Sequence, residues 1–376
     1  MRIIHLIPGL YLGGAEKVLE LIARHQIANG HEVSIVAFEE TSFEVYFDSL
    51  NIFHCNVKYR DTLFSDRHID VREYESMVNE FNPDVIHSHS YWTDLISHHN
   101  LRSSIIYISH FHLCYPNFNN IDLRQNVLAG VFNIIDKFRL LRKYSRPNCF
   151  IISASIYLDD FLRKRLPSSI VAKLKCLPNP VDDCYFEIQP QDDVRYDLLS
   201  VGRLEEVKDH KFLVAVMIEI FKRGKTFKLA IVGEGSLRNE LQQMVETNDL
   251  SDHITFLGSI KDLTRVYSDT RLYVHVAKAE TFGLTIFEAI AAGLPVVVRR
   301  FEGLNDQWLN DSNALVVNDN TVNSFANAII EIMENEDLRT RLRINGRRTV
   351  RNFASGEYLR RMDLLYRDIL RQYSVK

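Results

Sequence analysis

The chain has 376 residues, 45 basic against 49 acidic, with 46% apolar and 25% charged side chains. That composition excludes a disordered chain, no short-period repeat marks a solenoid, and the charge gives no global positive field for nucleic acid. One hydrophobic core is too few for this length, so two domains of roughly 180 residues are expected.

The apolar run from Ile3 to Leu10 is broken by His5 and Pro8 and is too short for a signal peptide. No stretch reaches the ~18 apolar residues of a spanning helix, so a cytoplasmic protein is expected. Met1 to Pro8 reads as a buried strand, Gly13-Gly14 as a turn, Ala15 to Ala28 as a helix stopped by Asn29-Gly30, and Glu32 to Phe38 as a second strand. Further apolar runs at Val85 to His87, Ile105 to Ile108 and Cys149 to Ile152 continue the rhythm of a parallel sheet covered on both faces. Pro178-Asn179-Pro180-Val181-Asp182 and the polar Gln189 to Asp193 have linker composition.

The strand rhythm restarts at Leu198 to Gly202, passes through a helix over His210 to Lys222, and repeats at Lys228 to Val232, Ile254 to Leu257, Leu272 to Val276 and Pro295 to Val298. The reading is therefore α/β, two doubly wound domains facing across a cleft lined by strand-to-helix loops. The expected boundaries are 1–188 for an N-terminal domain on the acceptor side, 189–355 for a nucleotide-binding domain, and 356–376 for a C-terminal helix crossing back to the first. The five cysteines Cys55, Cys114, Cys149, Cys176 and Cys184 form no C-x-x-C pair and read as reduced thiols.

Glu280-Thr281-Phe282-Gly283-Leu284-Thr285-Ile286-Phe287-Glu288 follows a buried strand and opens a helix. It places one carboxylate before the helix and another a turn inside it. The N–H groups of Phe282, Gly283 and Leu284, together with the helix dipole, suit a diphosphate or sugar hydroxyls. Two solvated surface glutamates are the plainer alternative. Gly233-Glu234-Gly235 lacks the third glycine of a dinucleotide fingerprint, and Gly9-x3-Gly13-Gly14 does not match it either. Without Cβ atoms, Gly13 and Gly14 let the backbone approach a ligand closely.

With its seven-residue spacing between Glu280 and Glu288, the chain resembles the GT-B fold glycosyltransferases of family 4. Other segments carry the same resemblance: Gly13-Gly14-Ala15-Glu16-Lys17, Pro83 to His89, the Ser155 region, Asn179 to Asp182, Val201 to His210 and Ile231 to Gly235. It implies a retaining transferase that moves a hexose or N-acetylhexosamine from a nucleotide-diphosphate sugar to a glycan or polyprenyl-linked acceptor, in bacterial polysaccharide synthesis. No metal is expected, since no Asp-x-Asp provides an anchor for Mg²⁺. UDP is the favoured nucleotide, with GDP open.

The resemblance assigns Arg203 and Lys208 to the donor diphosphate, where fixed cations stabilise the charge that develops on the leaving group. It gives Glu288 to the ribose and Glu280 to the donor sugar. The donor-binding set it implies is Gly13, Gly14, Gly202, Arg203, Lys208, Gly233, Phe282, Gly283, Leu284, Thr285 and Glu288; the catalytic set is Glu280, His110, Arg203 and Lys208. Glu280 as nucleophile of a double displacement is the alternative to a same-face reaction, which is favoured. His110 matches a family histidine near the donor sugar, with His112 as alternate and Phe111 where the family commonly has Asp. His87 and His89 suit either an acceptor wall or, more readily, packing.

Ala277 stands where the family often has Ser, and Arg300 to Asn305 where it has Gly-Gly-x-x-Glu. Phe132 to Arg146 joins apolar residues with Lys137, Arg139, Arg142, Lys143 and Arg146, a pattern that fits an anionic inner-leaflet surface or a solvated basic face. A catalytically silent binding protein on the same fold is the rival reading, against which stands the joint presence of Glu280, Glu288, Arg203 and Lys208.

Overall fold

In the computed structural model the described residues are 1–40, 47, 49–55, 57–60, 68–115, 118, 127–189, 191 and 193–374, with the side chains of 58–60, 68–69, 127–132 and 374 excepted. The Phe132 side chain lies outside this set. Two compact units result, Met1–Asn179 with Tyr358–Lys376, and Pro180–Glu357.

The first unit carries β1 (Arg2–Gly9), β2 (Glu32–Glu39), β3 (Ile52–His54), the short antiparallel pair β4 (Lys58–Arg60) and β5 (His68–Asp70), then β6 (Val85–Ser88), β7 (Ile106–Phe111), β8 (Cys149–Ser153) and β9 (Leu174–Cys176). Its seven-stranded sheet runs β3-β2-β1-β6-β7-β8-β9, with every pair parallel. Strands covered on both faces need continuous apolar sequence, and β1, β7 and β8 supply it. Ile3, Ile7, Ile106 and Ile108 pack on one side of the sheet, and Ile4, Leu6, Ile86 and Tyr107 on the other.

The second unit carries β10 (Tyr196–Val201), β11 (Leu229–Val232), β12 (Ile254–Gly258), β13 (Thr270–His275), β14 (Val296–Arg299) and β15 (Leu315–Val317). Its parallel sheet runs β12-β11-β10-β13-β14-β15. The β11–β12 pair shifts register between Ile231 and Val232.

The boundary falls at Pro180 rather than at 188/189. Val181 N–H donates to Phe353 O at 2.7 Å, and Val181 and Tyr185 enter the same core as Phe287 and Phe353, so residues 180–188 belong with the second unit. The polar composition near 190 marked an exposed stretch, whereas burial decides membership. The chain rejoins the first unit at Tyr358. Tyr358, Met362, Tyr366 and Ile369 repeat at helical spacing along the helix Ser355–Ser374 and pack against Ile3, Leu19 and Ile22.

One predicted surface residue lies inside. Lys143, read as part of a basic face on the helix Val127–Ser145, is fully buried and paired with Asp94 of the helix Tyr91–His98. Asp94 also accepts from Ser109 Oγ (2.6 Å), Tyr144 OH (2.9 Å) and Tyr115 OH (3.3 Å), and Lys143 donates to Ser97 Oγ (2.8 Å). A buried ion pair persists when its remaining hydrogen-bonding capacity is met, as here, and removing one partner strands the other charge. Lys143→Met is therefore expected to lower the free energy of urea unfolding by about 3–5 kcal/mol, a far larger loss than an exposed lysine would give; an unchanged unfolding midpoint would contradict the pairing.

Candidate active site

In a doubly wound sheet a crevice opens where the strand order reverses, at the carboxyl ends of the strands. In the second unit that point lies between β10 and β13. The loop after β10 carries Gly202, Arg203 and Lys208, and the loop after β13 carries Glu280, Phe282 and Gly283. The topology thus brings together the sequence-predicted residues of this half.

Backbone contacts fix both loops. Lys278 N–H donates to Val207 O (2.9 Å), Glu280 N–H to Glu302 O (3.0 Å) and Glu302 N–H to Lys278 O (3.2 Å). The segment around Glu302, which departs from the family pattern, therefore holds the Glu280 backbone. Gly233 takes a φ of +139°, and a Cβ there would sit 2.0 Å from Gly202 O; at Gly235 it would sit 2.5 Å from Leu204 O. Both glycines are required because the β11 loop lies directly on the β10 loop. Gly233 thus supports the Gly202–Lys208 loop, a role distinct from the ligand contact expected of it.

Lys208 Nζ and Glu280 Oε1 form a short ion pair, and His275 Nε2 stands 3.4 Å from the same oxygen. Burial pushes the Glu280 carboxyl up, but the neighbouring His275 and Lys208 side chains outweigh it and hold the group down at about 2. Behind His275, Tyr273 OH reaches His275 Nδ1 (3.4 Å) and donates to Thr285 Oγ1 (2.8 Å). Thr285 sits in the first turn of the helix Leu284–Ala291, whose N-cap, Gly283, has a φ of +81°. Among the described residues no backbone acceptor takes the N–H of Phe282, Gly283 or Leu284, so three donors and the positive end of the helix remain open. The Phe282 side chain is core, stacked on Phe287 with ring centroids 4.5 Å apart. Arg203 is exposed and carries no side-chain hydrogen bond or ion pair among the described residues.

Glu288 lies deeper, 2% exposed, and its Oε2 accepts from Tyr267 OH at 3.2 Å. Burial and then the Glu288 charge push the Tyr267 hydroxyl well above its ordinary range. The two glutamates are therefore neither solvated nor equivalent: Glu280 borders the open donors, and Glu288 is set into the core.

Predicted residues of the first unit lie elsewhere in its own fold. Gly13 is the N-cap of the helix Gly14–Ala28, and a Cβ there would meet only the flexible end of Glu16. His110, the predicted catalytic histidine, is 0% exposed, with neither ring nitrogen partnered. It stands in a stack of imidazoles with His87, His89 and His112, at centroid separations of 5.4, 5.6 and 4.1 Å. Burial, and then the neighbouring rings, hold His87, His89 and His110 well below the usual histidine range.

Sequence reasoning passed over Tyr267, Tyr273, His275 and Gln26. Tyr273 and His275 had a signal: they alternate on one face of a strand that leads straight into the Glu280 loop.

Both sheets and their connections match the GT-B fold, two Rossmann-like domains in one chain. The structure aligns with sucrose-phosphate synthase of Thermosynechococcus elongatus at a TM-score of 0.76 and 19% identity, covering 98% of this chain and 99% of that one. It aligns with Anabaena HepE in complex with UDP-glucose at 0.77 and 15%, covering 97% and 99%. The family profile described as Glycosyltransferase Family 4 matches residues 12–183, and that described as Glycosyl transferases group 1 matches residues 183–349. The chain belongs to this glycosyltransferase family.

Among its relatives are an uncharacterised glycosyltransferase of Methanocaldococcus jannaschii, 24% identical over 91% of both chains, and the alpha-monoglucosyldiacylglycerol synthase of Acholeplasma laidlawii, 26% identical over 58% of this chain. The latter match spans 52% of that synthase.

A carboxyl whose folded value lies below its ordinary 4.5 stabilises the fold above that pH, and the contribution is lost as pH falls towards about 2. The stability gap between wild type and Glu280→Gln is therefore expected to be widest, about 2–3 kcal/mol, above pH 5 and to narrow steadily from pH 4.5 to 3. Denaturant titrations across that range check it, and a gap independent of pH would refute the Lys208–His275 clamp.

Proposed function

We propose that the chain is a retaining glycosyltransferase that moves a hexose or N-acetylhexosamine from a UDP-sugar to a glycan or lipid-linked saccharide in bacterial surface polysaccharide synthesis. The observation that supports this reading best is the Lys208–Glu280–His275 cluster beside the open amide donors of Phe282, Gly283 and Leu284. A nucleotide diphosphate meets there one exposed guanidinium, one ammonium and a helix N-terminus, all positive, the last two held in place before the donor arrives. As the bond to the sugar breaks, charge grows on the departing phosphate, and fixed donors stabilise that growth more than the ground state. These cations supply the countercharge, so donor binding needs no metal.

Glu280 serves the donor sugar as an acceptor of hydroxyl protons, a task for a carboxylate that stays ionised. The same clamp makes it a weaker nucleophile, because Lys208 and His275 both stand against Oε1 and hold the carboxyl's basicity down; this favours same-face transfer over double displacement. Glu288, backed by Tyr267, accepts from the ribose. Donor-sugar contact by His110 is carried from the family resemblance. The UDP-glucose bound in the HepE structure supports a uridine donor.

Calorimetric titration with UDP, GDP, ADP and UDP-sugars in EDTA tests the assignment. UDP is expected to bind in EDTA, about 10-fold or more weaker in Arg203→Ala and Lys208→Ala, a loss of about 1.4 kcal/mol or more. Glu280→Ala should weaken the UDP-sugar more than UDP. Unchanged UDP affinity in both cationic variants removes the phosphate assignment, and binding without any donor hydrolysis or transfer favours a silent binding protein.

The acceptor side of the reading includes a membrane surface. No described helix is long and apolar enough to cross a bilayer. Instead His98, Arg139, Arg142 and Arg146 line a cleft of about 600 Å³ beside Phe138, which is 68% exposed, and Ile135, 41% exposed. Cations with apolar neighbours suit an anionic interface. Replacing Lys137, Arg142 and Arg146 by Ser is expected to reduce co-sedimentation with phosphatidylglycerol vesicles several-fold, and equal sedimentation would remove the membrane role.

A further inference from the structure

The first unit holds a group of side chains that the proposed reaction does not require as a group. His5 lies on β1, His87 on β6 with His89 two residues on, and His110 on β7 with His112 two residues on. Residues two apart in extended chain face the same way, and β1 pairs in register with β6, His5 opposite His87. Five imidazoles from three adjacent strands therefore converge, none more than 6% exposed. A protein interior rarely leaves a polar ring buried with both nitrogens unused, as His110 is.

A chain of hydrogen bonds orients the cluster. Gln26 Oε1 lies 2.8 Å from His5 Nε2 and accepts, so His5 carries its proton on Nε2 and presents a lone pair on Nδ1. His89 Nε2, 2.9 Å from that lone pair, donates to it, which leaves a lone pair on His89 Nδ1. That nitrogen faces His112 Nε2 at 3.2 Å. Two nitrogens bound to one tetrahedral ion at about 2.0–2.1 Å are separated by about 3.3 Å, so this pair already has the spacing of adjacent ligands. A shift of the His112 proton from Nε2 to Nδ1 frees Nε2 with no net loss of a proton. One donor atom each from His89, His110 and His112 lies within 4.8 Å of the others, and His110 has no bond to break in joining them.

We propose that His89, His110 and His112 form a binding site for one divalent first-row transition ion of the zinc class, with His5 and Gln26 fixing the orientation of His89. Three uncharged imidazoles suit zinc, cobalt or nickel, and lack the oxygen ligands that calcium and magnesium require. The Gln26–His5–His89 relay is the outer support that metal-bound histidines commonly have, a second ring nitrogen donating to a fixed acceptor. Three protein ligands leave a fourth position for water or an anion. The inference stands on this geometry and is independent of the transferase reading.

The test uses the full chain without an affinity tag, stripped with EDTA and equilibrated by dialysis against Zn²⁺ or Co²⁺, which allows for slow entry to a buried site. About one ion per chain is expected by elemental analysis, with the visible absorption of nitrogen-ligated tetrahedral Co²⁺ and a melting temperature that rises with Zn²⁺ concentration. His110→Ala should lose the ion and the absorption band while keeping the wild-type circular dichroism, because His110 has no hydrogen bond to forfeit. His253→Ala, at a histidine outside the cluster, should retain both. A His110→Ala chain that binds Zn²⁺ as well as wild type overturns the site. So does a wild-type chain that shows no tetrahedral Co²⁺ band, whatever the variants do.

Discussion

A parallel strand buried on both faces leaves little room for polar chemistry until it nears its carboxyl end. This constraint arranges the protein. The central residues of β10 and β13, Leu198-Leu199 and Leu272-Tyr273-Val274, are buried, and polar groups gather at the carboxyl ends: His275 closes β13, and Gly202, Arg203 and the Glu280 loop follow. The reversal of strand order between these neighbours then sets the two loops side by side without a helix between them. Lys208 and Glu280, far apart in the chain, meet because the topology gives their loops no other place.

The same chemistry has different consequences at different depths. Asp94 and Lys143 are wholly enclosed, and three hydroxyls complete the carboxylate's shell, so nothing remains for a ligand. Lys208 and Glu280 are 22% and 15% exposed and lie beside amide groups that no backbone acceptor among the described residues satisfies. In the proposed reaction Lys208 turns from Glu280 to a phosphate, and the carboxylate keeps His275 beside it. The first pair stabilises a fold, and the second is poised for exchange. Charge alone does not separate them; the count of partners left over does.

Most of the architecture was legible because its signal is periodic and local. The helix read over His210–Lys222 has those bounds in the structure, since a mainly apolar run there ends at Arg223-Gly224. Legibility failed where a residue's meaning depends on distant partners. Lys143 looked like one more cation on a basic face, because Asp94, 49 residues away, leaves no trace in the local pattern. Pro178 to Asp182 looked like linker because composition does not reveal that Val181 bonds to Phe353. Gly233 carried a true signal with a different cause: its missing Cβ makes room for the Gly202 carbonyl. At the site, the glutamate spacing and the Arg203–Lys208 segment were readable as motifs, whereas Tyr267, Tyr273 and His275 act through contacts that no short motif encodes.

The two units also differ in how they hold positive charge ready. In the second unit the cations are permanent, an arginine and a lysine, and one carboxylate is kept ionised between Lys208 and His275. In the first the basic groups are imidazoles held neutral by burial, with lone pairs directed by Gln26 through His5 and His89. Permanent cations suit an anion whose charge grows during reaction, because they need no proton and no rearrangement. Neutral imidazoles with directed lone pairs suit a ligand that brings its own positive charge, or a hydroxyl that donates a proton. A cluster of five such rings is more than one hydroxyl contact needs, and the unpartnered nitrogens of His110 have no account in packing. The surplus is chemical, which is why it directs attention to a cation and not to the sheet that carries it.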